Sequence, residues 1–126
     1  MTPINTKNAP QALGHYEQAI THDGLVYISG QLPLDPQDDT LPIGDIRQQT
    51  QQVLKNLDAI LKAANSDKTK VLNVTLYITD INDWPTINEV YANYFGTHKP
   101  ARAAVPIVTL PKGCHIEVSA TAAQLA

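Results

Sequence analysis

Two segments of the chain place apolar residues at the three- and four-residue spacing of an amphipathic helix. In the first segment, between Asp45 and Asn65, the apolar stripe consists of Ile46, Val53, Leu54, Leu57, Ile60, Leu61 and Ala64. Asp45 followed by Gln48 is the pattern of a capping box, and Asn65 is a suitable end point. The glutamine-rich stretch 48–52 is predicted to form a solvated face of this helix.

A second helix is predicted from about Trp84 to Phe95. Its apolar stripe consists of Ile87, Val90, Tyr91, Tyr94 and Phe95. Asp83 is placed to cap this helix, Pro85 suits its first turn and Gly96 can end it. Asn88 falls off the apolar stripe, where a solvent-facing or locally bonded side chain is the default expectation.

Alternation of apolar and polar residues predicts strands around these helices. Leu25 to Ser29 is rich in strand-forming residues. The segment from Val71 to Ile78 places its apolar side chains on one face, at Leu72, Val74, Leu76 and Ile78. Segments near Ile4 and from Glu17 to Ile20 are two further candidates, and His22-Asp23-Gly24 is typical of a hairpin turn.

Two more strands are predicted near the end of the chain. In the first, one face holds Ala103, Val105 and Ile107, and the other holds Arg102, Ala104 and Pro106. In the second, one face holds Ile116, Val118 and Ala120, and the other holds His115, Glu117 and Ser119. Arg102 and Glu117 are therefore each predicted to point away from the apolar side of their own strand.

The predicted order of elements is β-β-β-α-β-α-β-β, which indicates an α+β fold in one domain spanning residues 1–126. Two helices can cover one face of a mixed sheet of this width. The other face then needs a cover of its own, and a homo-oligomer is the simplest one. The segment from Asp35 to Pro42 is predicted to be a loop and not a domain boundary.

Composition and charge exclude several classes of function. The chain of 126 residues has a net charge of −3, and its nine Lys and Arg residues are scattered, so nucleic-acid binding has weak electrostatic support. No apolar run is long enough to span a bilayer, and the N-terminus lacks the layout of a signal peptide. Because the single cysteine, Cys114, rules out an internal disulfide, we expect a cytoplasmic protein.

Arg102 and Glu117 are the candidates for chemistry. If their strands pair in antiparallel fashion across the turn at Leu110-Pro111-Lys112, the two side chains can approach each other. The arginine would then hold a carboxylate bidentately, and the glutamate would accept a proton or orient a water. A structural salt bridge at the sheet surface, or no contact at all, is the alternative interpretation of the same spacing.

Other candidates are weaker when taken from the residues alone. Tyr16 could reach a site with its hydroxyl, but a tyrosine at a rim is the simpler interpretation. Ser29-Gly30 ends a strand, where the glycine would let a ligand approach the backbone, or would simply begin a loop. The four histidines lack the spacing of a metal site, and Cys114 has no neighbouring base that would activate it.

The chain resembles the RidA family along nearly its whole length. The resemblance is carried by the motifs Tyr16-Glu17-Gln18-Ala19, Ile28-Ser29-Gly30-Gln31-Leu32-Pro33, Asn88-Glu89-Val90-Tyr91, Pro100-Ala101-Arg102, Leu110-Pro111-Lys112 and Ile116-Glu117-Val118. It implies a chorismate-mutase-like fold and a homotrimer with three clefts between subunits. It also implies an enamine/imine deaminase that converts 2-iminopropanoate and 2-iminobutanoate to 2-keto acids and ammonia. We expect this hydrolysis to proceed without a cofactor.

The resemblance also assigns roles to individual positions. The arginine that binds the substrate carboxylate falls on Arg102, and the glutamate that handles the attacking water falls on Glu117. The positions that line the family cleft are Tyr16, Ser29, Gly30 and Asn88. A backbone N–H near Gly30 or Ala104 is expected to assist in binding the carboxylate.

This chain departs from the family pattern just after the arginine. Many members carry a cysteine where Ala104 stands, and Pro106 and Val108 are also unusual. Deamination needs an anion clamp and a water and not a thiol, so these changes bear on pocket size and substrate preference. A non-catalytic trimer, either sensing 2-keto acids or amino acids or acting like a chaperone, is the alternative, whereas the acidic charge argues against an RNA-directed nuclease.

Overall fold

The computed structural model describes residues 1–38 and 44–126, so only the start of the predicted loop from Asp35 to Pro42 lies within it. Six strands and two α-helices follow in the predicted order. They are β1 (Thr2–Ile4), β2 (Ala19–His22), β3 (Leu25–Gln31), α1 (Ile46–Ala63), β4 (Val71–Ile78), α2 (Trp84–Phe95), β5 (Ala101–Pro106) and β6 (Ile116–Ala123). None of the described helices is long and apolar enough to cross a membrane.

The strands form one mixed sheet in the order β1-β2-β3-β6-β4-β5. All neighbouring pairs are antiparallel except β4 and β5, which are parallel because α2 carries the chain back between them. The hairpin between β2 and β3 turns at Asp23 and Gly24, whose φ angles of 50° and 78° are those of a tight two-residue turn. The α+β fold predicted from the sequence is therefore confirmed.

Helix α1 forms where the predicted stripe lies. Asp45 accepts a hydrogen bond from the Gln48 amide, and the Gln48 side chain accepts one from the Asp45 amide, which completes the capping box. The chain leaves the helix through Asn65, with a φ of 58°. Gln49 is buried, although the sequence predicted a solvated face, because its side chain accepts a hydrogen bond from the His115 amide just before β6.

Helix α2 begins without the predicted side-chain cap. Asp83 precedes it in a helical conformation, as the last residue of a 3₁₀ turn from Ile81 to Asp83, and its side chain makes no capping bond. Pro85 occupies the first turn and Gly96, at a φ of 64°, ends the helix, both as predicted. The prediction for Asp83 was wrong because a preceding turn already leads the chain into the helix.

Strand β4 corrects one position of the predicted apolar face. Val74, Leu76 and Ile78 are buried beneath the helices, but Leu72 is 49% exposed and Val71 is buried instead. The register of β4 against β6 shifts between Val71 and Asn73, and an irregularity of one residue moves every side chain before it to the other face.

The core lies between the two helices and one face of the sheet. It is built by Leu57, Ile60 and Leu61 of α1, Ile87 of α2 and the inward side chains of β4 and β6. The opposite face, with Tyr27, Tyr77, Ser119 and Thr121, has no covering element among the described residues. Its cover by another copy of the chain stays a prediction.

Candidate functional site

Arg102 lies on β5, the last strand of the sheet, and its side chain turns toward α2. Its Nη1 donates a hydrogen bond to Asn88 Oδ1 at 3.0 Å. Its Cζ is 4.8 Å from the ring centroids of both Trp84 and Tyr91, which is within the range of a cation–π contact. The guanidinium is therefore held by two rings and one amide, and no carboxylate pairs with it in the described part of the chain.

The three partners of Arg102 form one stripe of α2. Trp84, Asn88 and Tyr91 are spaced by four and then three residues, so they share a helix face. The sequence prediction placed Tyr91 in the core stripe, which is confirmed because Tyr91 is also buried in the core, and it gave Trp84 no role. The same spacing rule that found the apolar stripe could have found this second one, starting from the lone tryptophan.

The outer edge of β5 presents two main-chain amides next to this side chain. The Ile107 N–H donates to the Ile78 carbonyl at 2.8 Å, so odd-numbered residues of β5 direct their amides at β4. Because the direction alternates along a strand, the amides of Arg102 and Ala104 point away from the sheet. An anion at this edge would meet two N–H groups as well as the guanidinium.

A cavity of about 460 Å³ adjoins Arg102, and we refer to it as the Arg102 cavity. It lies between the C-terminal half of α2 and the start of β5. Its lining residues are Asn88, Tyr91, Ala92, Phe95, Gly96, His98, Lys99, Pro100 and Arg102. Its volume lies in the range typical of small-molecule sites.

Glu117 lies on β6 and points from the sheet face that the helices do not cover, as the sequence predicted. Its neighbours Ile116 and Val118 are fully buried on the other side. The carboxylate makes no hydrogen bond or ion pair within the described residues. Burial raises the pKa of Glu117, as expected for a half-buried carboxylate that no cation offsets. Such a group is suited to accept a proton.

Gly30 lies directly against this carboxylate. A Cβ at Gly30 would lie 2.9 Å from both Cδ and Oε1 of Glu117, closer than such atoms approach. The register of β3 against β6 shifts between Ile28 and Gln31, so Ser29 and Gly30 form a bulge beside β6. Here the glycine is required for space and not for its φ angle.

Tyr16 and Ser29 complete the surroundings of Glu117. The Tyr16 hydroxyl accepts a hydrogen bond from the Leu13 amide at 3.1 Å, and Ser29 Oγ donates to the Glu17 carbonyl at 2.6 Å. A cavity of about 550 Å³, the Glu117 cavity, is lined by Leu13, Gly14, Tyr16, Ser29, Gly30, Leu32, Tyr77, Pro111, Glu117 and Ser119. Sequence reasoning did not identify Leu13, Tyr77 or Pro111 as lining residues.

The structure contradicts the predicted pairing of Arg102 with Glu117 inside one chain. Strand β4 lies between β5 and β6, with Arg102 opposite Val74 and Glu117 opposite Tyr77. Two strand spacings and three residues of register separate the two Cα atoms by roughly 14 Å. The side chains also point from opposite faces, because Arg102 and not Ala103 or Val105 is directed at α2.

The remaining polar candidates do not form a further site. Within residues 1–38 and 44–126, no three His, Cys, Asp or Glu side chains are grouped to hold a metal ion. Nδ1 of His115 is hydrogen-bonded to Thr79 Oγ1 at 2.9 Å. Cys114 is buried, and burial raises the pKa of its thiol to about 11, which opposes thiolate chemistry.

Comparison with known proteins finds likenesses along nearly the whole chain. The profile of the endoribonuclease L-PSP family matches residues 6–124. The 2-iminobutanoate/2-iminopropanoate deaminase of Homo sapiens is 46% identical over 121 residues, which cover 96% of this chain and 88% of the human protein.

Solved structures share the fold over the same length. A protein of the conserved Rid family from Yersinia pestis has a TM-score of 0.94 at 46% identity, covering 97% of this chain and 98% of that one. The crystal structure of E. coli TdcF with bound serine has a TM-score of 0.95 at 37% identity, covering 99% of this chain and 100% of that one.

Proposed function

This chain belongs to the endoribonuclease L-PSP family, in which the Rid proteins are grouped, and we propose that it hydrolyses 2-imino acids to 2-keto acids and ammonia. The substrates are short reactive imines such as 2-iminopropanoate and 2-iminobutanoate, the substrates in the name of the human relative. The observation that carries the proposal concerns two residues that have no ionic partner among residues 1–38 and 44–126. They are an arginine held by an amide and two rings, and a half-buried glutamate.

The complete site is formed by two copies of the chain. Arg102 and Glu117 point from opposite sheet faces, so one small substrate cannot touch both within one copy. A head-to-tail interface joins two different surfaces, and it can bring the Arg102 cavity of one copy against the Glu117 cavity of the next. Each copy then contributes Asn88, Arg102 and Ala104 to one site and Tyr16, Gly30 and Glu117 to another.

Such an interface forms a closed ring when the rotation between neighbours is regular. We place three copies in that ring, giving three equivalent sites. The uncovered sheet face around Tyr27 and Tyr77 supports this assembly, because contact with a neighbour would bury these rings.

Each side of the site has a distinct task in the reaction. Arg102 binds the substrate carboxylate bidentately, and the outward amides of Arg102 and Ala104 add two donors. The Asn88 amide and the rings of Trp84 and Tyr91 fix the orientation of the guanidinium before the substrate arrives. The imine carbon is thereby held where a water beside Glu117 can attack it.

Glu117 then transfers the proton that hydrolysis requires. It accepts a proton from the attacking water as the oxygen bonds to the imine carbon and passes that proton to the imine nitrogen, which gives a carbinolamine. It then takes the proton of the carbinolamine hydroxyl and delivers it to the amino nitrogen, so that the C–N bond breaks and ammonia leaves as the C=O bond forms. Water is the only co-reactant, so the step needs neither a metal nor a cofactor. A positioned base contributes on the order of 10²–10⁴-fold.

The experiment generates 2-iminobutanoate from threonine with a dehydratase, in the presence of semicarbazide as a competing trap. The protein is expected to lower the yield of semicarbazone in proportion to its concentration. Arg102→Ala is expected to lose this effect while keeping its oligomeric mass. Arg47→Ala is the matched control, because that arginine pairs with Glu89 and neither residue lines the two cavities. Wild-type turnover in Arg102→Ala would contradict the mechanism.

Binding without turnover is the second candidate function. The structure of E. coli TdcF with bound serine shows that a relative with this fold holds a small amino acid. Glu117→Gln separates the two functions. A sensor keeps its ligand affinity and its role in this variant, whereas a deaminase loses its rate of imine hydrolysis.

The single cysteine is a buried thiol, which suits the reducing cytoplasm that we propose as the location of the protein.

A further inference from the structure

The Arg102 cavity contains a second cationic residue that the proposed reaction does not use. Lys99 lines this cavity together with Arg102, and the lining includes no aspartate or glutamate. The only other group in the lining that can become a cation is His98. The chain as a whole is acidic, with 12 acidic and 9 basic residues. The lining of this cavity has the opposite charge, because its charged residues are basic.

No carboxylate in the described part of the chain pairs with Lys99 or Arg102. Lys99 is exposed and forms no ion pair within the described residues, and Arg102 bonds only to the neutral amide of Asn88. His98 uses Nε2 as a donor to the Val71 carbonyl at 2.7 Å, which leaves Nδ1 without a partner there. Two full positive charges therefore border the cavity before any ligand binds.

A 2-imino acid with one carboxylate would neutralise only one of these charges. We infer that the preferred substrates are 2-imino dicarboxylates, with the carboxylate next to the imine on Arg102 and the side-chain carboxylate on Lys99. This inference rests on the proposed function, because it assigns the substrate class of that same site. It predicts a preference for the imines of acidic amino acids over those of apolar ones.

The position of Lys99 fits this role. It stands three residues before Arg102, where the chain leaves α2 and enters β5, so both side chains reach one cavity from the same segment. The cavity volume of about 460 Å³ holds a dicarboxylate of four or five carbons with room for water. Ala92 and Phe95 contribute apolar lining, and neither side chain can pair with a second carboxylate.

Lys99 also lies close to the C-terminus of α2, where a cation interacts favourably with the free carbonyls. This purely structural role predicts a different result from the one inferred here. Loss of a helix-end interaction lowers the melting temperature and affects all ligands alike. Loss of a carboxylate partner lowers affinity only for ligands that carry the second carboxylate.

The test measures binding of stable 2-keto acids by titration calorimetry. The probe is 2-oxoglutarate, and its matched control probe is 5-methyl-2-oxohexanoate, which keeps the first carboxylate and has a branched alkyl end in place of the second. Wild-type protein is expected to bind 2-oxoglutarate more tightly. Lys99→Met is expected to lower that affinity about tenfold, as for a hydrogen bond to a charged group, and to leave the affinity for the monocarboxylate probe within about twofold.

Lys70→Met is the control, because it removes the same charge from an exposed position that lines neither cavity. Equal affinity of the wild type for the two probes, or an equal loss for both in Lys99→Met, would overturn the inference. Hydrolysis assays on 2-iminoglutarate and 2-iminobutanoate test the inferred substrate class and the proposed function separately. Turnover of both imines at equal rates contradicts the inference alone, and Lys99-dependent binding without turnover contradicts the proposed function alone.

Discussion

At the scale of single residues, the position of the Glu117 carboxylate depends on the absence of a side chain at Gly30. Gly30 leaves the space that the carboxylate fills, with only 2.9 Å from Cδ and Oε1 to the place where a Cβ would be. The sequence motif predicted that a ligand could approach the backbone closely at this glycine. In the structure, the group that lies against Gly30 is the carboxylate of Glu117, the candidate base.

Gly30→Ala is expected to lower imine hydrolysis about tenfold to a hundredfold, because the carboxylate must move by a sizeable fraction of an ångström or more. The fold should tolerate the change, since the displaced atoms are the end of a flexible side chain. Steady-state rates and a melting curve check both parts. Gly14→Ala in the same cavity is the control, because its Cβ would be 3.9 Å from the nearest atom, in Tyr16. Full activity in Gly30→Ala would contradict a role for Glu117 in imine hydrolysis.

The pKa of Glu117 reports whether Arg102 of another copy is near. Burial raises this pKa, and a guanidinium within a few ångströms lowers it. Arg102→Ala is therefore expected to raise the pKa of Glu117 above its wild-type value, as measured by carbon NMR of labelled glutamate. Arg47→Ala should leave the pKa unchanged. An unchanged pKa in Arg102→Ala would mean that the two groups do not share a site.

At the scale of elements, α2 serves two purposes with two faces. Ile87, Val90 and Phe95 pack in the core, and the stripe of Trp84, Asn88 and Tyr91 holds Arg102, with the Tyr91 ring also buried in the core. The helix was predicted correctly because its core face follows the regular period. Its functional face was only partly predicted, because Asn88 falls off the apolar stripe and the sequence analysis gave Trp84 no role.

Trp84→Leu is expected to weaken substrate binding roughly threefold to thirtyfold, because it removes one of the two cation–π contacts to Arg102. Trp84→Phe keeps an aromatic face and should recover most of the affinity. The effect should appear in KM more than in kcat, as measured with the coupled semicarbazide assay. An equal loss in both variants, or a lower melting temperature that accounts for it, would assign Trp84 to stability alone.

Two errors at this scale have local causes. Leu72 was assigned to the buried face, and the register shift beside it exposes Leu72 and buries Val71. Asp83 was assigned as a cap, and a 3₁₀ turn takes that place. The apolar–polar period is a property of regular helices and strands, so it does not predict a bulge or a turn that leads into a helix.

At the scale of the whole molecule, Arg102 and Glu117, the two halves of the proposed site, lie on opposite faces of one sheet. The head-to-tail assembly that we propose would bring them together. This separation also means that each chain can be inactivated in two independent ways. Variants that are inactive for different reasons can then complement each other.

Mixing Arg102→Ala chains with Glu117→Gln chains is expected to restore activity. If subunits unfold and reassemble at random in equal amounts, about a quarter of the interfaces combine an intact Arg102 with an intact Glu117. Each variant refolded alone should stay inactive, and rates of the mixed sample measure the recovery. No recovery, with mixed oligomers shown by mass spectrometry, would contradict a site that two copies of the chain share.

The sequence alone determined the order of elements, the bounds of both helices to within a residue or two and the identity of the polar candidates. Helix caps, turns and apolar stripes arise from neighbours along the chain, so they can be read from it. The tertiary structure decided which strands are neighbours. It placed β4 between β5 and β6 and so set Arg102 and Glu117 apart. Strand order depends on long-range packing, and a short connection such as the one from β5 to β6 does not require its two strands to pair.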